Sequence, residues 1–81
     1  MRIGDLCTST IDGVRLFPHD FRDPTVRNDH TLWGTGEYVW NSDLLLVLDT
    51  CVEGLNSTLW YRVLSPRGEI GWLCDQFARG V

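Results

Sequence analysis

Apolar residues along this chain come in short bursts, most of them closed at or within a residue or two by a Gly, Pro, Asn, Asp or Ser. Bursts of that length with punctuation at each end predict strands rather than helices. Ile3 to Thr8 reads as a first strand, with Leu6 and Cys7 entering the core. Asp12-Gly13 predicts a hairpin turn into an extended Val14–Phe17. Glu37 to Trp40 is a short strand, and Asn41-Ser42-Asp43 is a turn. Leu44 to Val52 is the strongest central strand, apolar on both faces at its start. Leu59–Leu64 and Glu69–Leu73 flank Ser65-Pro66-Arg67-Gly68 and predict a second hairpin. Cys74 to Phe77 is a 3₁₀ turn, and Ala78 to Val81 is a last short strand.

Between these elements the chain is polar from Pro18 to Asp29. Two prolines and mixed charge exclude a central strand there, so this window is a long loop of the kind that carries function. No segment shows a helical period. Five or six short strands in one domain, residues 1–81, point to an all-β sandwich or barrel. At this length a small β-barrel is the economical form, because closure removes exposed strand edges.

Nine aromatic residues, four of them Trp, supply enough apolar surface for a core without disulfides. Three cysteines, Cys7, Cys51 and Cys74, have neither paired nor zinc-ligand spacing. They read as free, buried thiols in a reducing, cytoplasmic setting. The net charge is −4, and all seven basic residues are Arg. That balance argues against a phosphate-backbone binder. No apolar run reaches the ~20 residues of a membrane span, so no membrane role is expected.

The carboxy-terminal order Trp60-Tyr61, Val63, Gly68, Gly71-Trp72, Phe77 resembles the Src-homology-3 pattern of bacterial and phage proteins. In that pattern an aromatic pair precedes a turn glycine, a Gly-x-x-Gly element and a 3₁₀ turn closed by an aromatic. Ile3-Gly4-Asp5-Leu6-Cys7 likewise resembles the opening of small phage-encoded barrels. The resemblance implies an SH3-like β-barrel of five to six strands, with a long loop and a short 3₁₀ turn. It also implies that Trp60 walls a peptide groove. Phe77 stands where the family carries a Tyr, and Cys74 where it carries a Pro. The resemblance further implies that Asp20 and Asp23 take the part of the family's acidic loop, which meets basic ligands.

Physical reasons accompany the pattern. Gly68 suits a turn with positive φ, and Gly71 permits close approach of another segment. Val63, Ile70 and Leu73 are expected to face the interior. Trp40 is the aromatic most expected to fill the core. At least two of Trp33, Tyr38, Trp40, Trp60 and Trp72 are expected to fill the barrel. The functional reading instead sets Trp60 and Trp72, on adjacent antiparallel strands, in a binding platform with Phe77, Trp33 and Tyr38, rimmed by Asp20 and Asp23.

No catalytic constellation is legible. His19 and His30 flank the loop without ligand or acid–base spacing, and Asp43, Asp49 and Glu53 read as solvated charges. The chain is therefore expected to be a non-enzymatic module that binds a protein or peptide. It would be phage- or prophage-encoded, modulate a larger (possibly host) partner, and use no cofactor and no metal. Nucleic-acid association, with Arg15, Arg22, Arg27 and Arg62 clustered, is one alternative. A structural virion or tail component is the other. A monomer or small homo-oligomer is expected.

Overall fold

The computed structural model describes residues 1–18, 25, 36–53 and 57–81. The chain is all-β. Its strands are β1 (Leu6–Ser9), β2 (Val14–Arg15), β3 (Tyr38–Val39), β4 (Leu45–Glu53), β5 (Thr58–Leu64), β6 (Ile70–Cys74) and β7 (Ala78–Gly80). A 3₁₀ turn, Asp75–Phe77, joins β6 to β7. An antiparallel five-stranded sheet has the order β6-β5-β4-β1-β7, and β2 and β3 form a separate two-stranded sheet. No helix among the described residues is long and apolar enough to cross a membrane.

The expected second hairpin is present, with Leu64 opposite Ile70 and Trp60 opposite Cys74. Its turn is held by Ser65, whose buried hydroxyl accepts the N–H groups of Arg67 (3.3 Å) and Glu69 (3.1 Å). Gly68 has φ +84°, the left-handed conformation that a side chain resists. The Asp12-Gly13 turn, in contrast, is not a hairpin. β1 already pairs with β4 on one edge and β7 on the other, so no edge is left for β2. β2 pairs instead with β3, Val14 opposite Val39 and Arg15 opposite Tyr38.

Strand alternation sorts the side chains. Cys7, Leu45, Val47, Tyr61, Val63 and Leu73 point inward and, with Leu16 and Val39, form the core. The register of β4 and β5 slips between Val47 and Asp49, leaving Leu48 as a bulge residue. Such a bulge sharpens strand twist. Ile70, expected inside, is 48% exposed, because the inward phase of β6 belongs to Gly71 and Leu73. Trp40, also expected inside, is 44% exposed; it lies over Gly13 and stacks on Tyr38, centroids 5.9 Å apart. Cys7 and Cys74 are buried and free, whereas Cys51 is only half-buried.

Asp43 is not a solvated charge. It accepts the Trp40 N–H (3.0 Å) and two hydrogen bonds from the Arg67 guanidinium (3.3 and 2.9 Å). Arg67 also donates to the Tyr38 carbonyl (3.0 Å), which ties the β5–β6 turn to the end of β3. The Arg67 hydrogen bond holds the Asp43 carboxyl below its ordinary pKa. A depressed carboxyl stabilises the fold above its unfolded pKa and loses that contribution as pH falls through the folded value. Asp43→Asn should therefore be less stable than the wild type at pH 7. Chemical denaturation followed from pH 7 to pH 2 should show that difference vanishing in acid; a constant difference contradicts the assignment.

Candidate functional site

The segment Leu16-Phe17 straddles the edge of β6. Consecutive extended residues point to opposite sides, so Leu16 enters the core while Phe17 covers the outer face of Trp72. Phe17 and Trp72 form a single antiparallel bridge, each donating its N–H to the other's carbonyl (3.0 and 2.9 Å). Continued one step, that register would set Arg15 opposite Cys74. No bridge forms there, because Leu16 donates its N–H to Glu37 O (2.9 Å) and the chain turns toward β3. The two strands diverge into a fork.

The fork opens a cleft of about 170 Å³. Val14, Arg15 and Phe17 line one side, and Trp60, Trp72, Cys74 and Phe77 line the other. Its volume falls below the ~300–1,000 Å³ typical of small-molecule sites. The size and apolar lining suit one or two side chains of a peptide.

Three of the anticipated residues, Trp60, Trp72 and Phe77, thus meet at one place. They meet differently from the expected open platform. Trp72 is 3% exposed beneath Phe17, while Trp60 and Phe77 are half-buried and accessible. Tyr38 is exposed outside the cleft lining and touches it through Arg15, whose guanidinium lies 4.3 Å from the Tyr38 ring centroid. Asp20, Asp23 and Trp33 lie outside the described residues, as do His19, His30, Arg22 and Arg27. Phe17 and Arg15 were not anticipated. Phe17 follows a recognisable strand, but nothing local announces a bridge to a residue 55 positions away.

The described charged residue in the lining is Arg15, a cation. Among the described residues no group of three or more His, Cys, Asp and Glu converges. Burial pushes the Cys7 thiol above its ordinary pKa, so it stays protonated and unreactive at neutral pH. The arrangement can bind an apolar segment and orient it against aromatic rings.

Compared with family models, with curated proteins and with solved structures, the chain matches none.

Proposed function

We propose that this chain is a non-enzymatic peptide-binding module on an SH3-like, partly closed barrel, and that its ligand seats in the fork between β2 and β6. The single observation that carries the reading is the convergence of Trp60, Trp72, Phe77 and Phe17 on one cleft. The strand order supports the barrel reading: β1 sits between β4 and β7, a long excursion separates β1 from β4, and a 3₁₀ turn enters the last strand. The opening Gly4-Asp5-Leu6 is the ground for a phage- or prophage-encoded module that modulates a larger protein partner.

Aromatic anchors in a small, well-packed cleft carry most of the energy of such contacts. Selection of random displayed peptides against the protein should enrich sequences with a proline or bulky apolar residue. Trp60→Ala should weaken the enriched peptide at least about tenfold, a loss of ~1.4 kcal/mol or more. Trp60 is only half-buried, so the variant should keep the wild-type dichroism spectrum. Unchanged affinity in a folded Trp60→Ala, or no enrichment at all, overturns this site.

A second reading, nucleic-acid association, draws on the exposed Arg15–Tyr38–Trp40 stack, since bases stack on such rings. The net charge of −4 opposes it, and the peptide reading stands ahead.

A further inference from the structure

The outer face of the five-stranded sheet carries an aliphatic row. Leu6 on β1 is opposite Leu46 on β4, Leu46 is opposite Leu64 on β5, and Leu64 is opposite Ile70 on β6. Directly opposed residues in antiparallel strands share a face. The core lies on the other side, where Cys7 and Leu45 point. Leu6 is 46% and Ile70 48% exposed, with Leu46 and Leu64 half-buried between them. Leu44, two residues ahead of Leu46, is 51% exposed.

We infer that this row is the interface of a homodimer in which a second copy packs its own row face to face. The area argument comes first. At on the order of 180 Å² for a whole aliphatic residue, the five residues expose roughly 350 Å² of apolar surface, as large as the largest patch of a typical monomer. Two copies bring together roughly 700 Å². That falls short of the ~1,000 Å² of a stable specific interface until a polar rim is added, so the association is a weak one. Stacked sheets interdigitate side chains from just such rows.

Charge decides between a second copy and a membrane. Beside the row, on the same face, Asp49 is opposite Arg62. Near Leu44, Asp43 is bound by Arg67. Acid and base balance at both places, and Arg79, opposite Thr8 on the same face, adds one positive charge beside Leu6. The surroundings of the row therefore do not carry the acidic excess of the whole chain, −4. An anionic bilayer would need a basic cluster, and the patch offers none among the described residues. An isologous pair is also closed, which ends assembly at two. None of the row's residues lines the fork, although Trp72 lies on the same face two residues beyond Ile70; Leu6, three strands away on β1, is the row position farthest from it.

Sedimentation equilibrium of the unmodified chain tests this. Association should be weak, with the monomer at roughly 1 μM and the dimer dominant above roughly 100 μM, as expected of a small interface. The limiting mass should be twice 9.3 kDa. Leu6→Glu and Ile70→Glu should each abolish the dimer, while Val52→Glu, at a position 58% exposed and off the row, should leave it intact. Because the wild-type concentration series needs no variant, a folding failure in one substitution does not spoil the test. A monomer at every concentration overturns the inference, as do species larger than a dimer. Persistence of the dimer in folded Leu6→Glu, or cosedimentation of a monomer with phosphatidylcholine vesicles, also overturns it. Peptide affinity should be the same in Leu6→Glu as in the wild type, which keeps this outcome distinct from that of the cleft.

Discussion

Gly36→Ala should cost about 3 kcal/mol, near the upper end for overpacking a close-packed site, and should lower the melting temperature by roughly 12–24 °C. A side-chain carbon at residue 36 would overlap the carbonyl oxygen and carbon of Leu16. Gly71 meets the same residue from the other side: a carbon there would sit 2.6 Å from Leu16 Cβ and 3.2 Å from Phe17 O. Leu16, 1% exposed, is thus held in a slot between two glycines. It cannot step aside, because its N–H is bonded to Glu37 O and the next residue is bridged to Trp72. Total stabilities of ~5–15 kcal/mol make such a loss a large share. Gly80→Ala is the control; its new carbon would meet only the Met1 side chain at 3.8 Å, and should change stability by less than ~0.5 kcal/mol. Thermal denaturation followed by dichroism compares them. If the two variants melt within a few degrees of each other, Leu16 is not clamped in this way.

The same slot positions the cleft. Pinning Leu16 fixes where Phe17 lands on Trp72, and that single bridge both covers part of the β6 edge and starts the fork. An open edge strand invites unwanted pairing. Here Phe17, two residues beyond β2, occupies it, and the divergence on the β2 side of that residue leaves room for a ligand.

Structure is legible in the sequence where local physics decides. The Ser65–Gly68 turn, the 3₁₀ turn and the tight approach at Gly71 follow from turn chemistry and from the missing side chain of glycine. Three features depended on distant partners. Asp12-Gly13 carries a turn signal, and Gly13 does take φ +78°, but the partner of β2 is set by the occupied edges of β1. In Ile70–Cys74 the apolar run contains no polar residue to mark its phase, so the inward face was not legible. Trp40 has the composition of a core residue, yet its ring finds Gly13 and Tyr38 at the surface. Of the site, the aromatic members were legible because bulky rings in a short chain are few. Phe17 was not, because its role arises from a pairing across most of the sequence.

Tyr61→Phe should be less stable than the wild type at pH 7 and more stable at pH 12. Tyr61 is 2% exposed, and its hydroxyl donates to Asp75 Oδ1 at 2.8 Å. Burial, then the hydrogen bond to Asp75 and the charge of that carboxylate, push the phenol up to about 12. The unfolded chain releases this proton near pH 10. Between those two values the unfolded state has lost a proton that the folded state retains, so stability falls as pH rises. The group is neutral in both states below about pH 10 and costs nothing there; by pH 12 the loss amounts to about 2–3 kcal/mol. Phenylalanine cannot ionise, and it forfeits the hydrogen bond to Asp75, worth ~1 kcal/mol, together with a long one that the hydroxyl accepts from the Met1 amino group (3.5 Å). Asp75 is exposed and is resolvated by water when the hydroxyl is removed. The two stability curves should therefore cross between pH 10 and pH 12. Urea denaturation of both proteins across that range measures the crossing, and the other alkaline titrations, being common to both chains, largely cancel in the difference. Parallel curves would mean that the phenol is not the proton-holding group and that Asp75 contributes nothing to its retention.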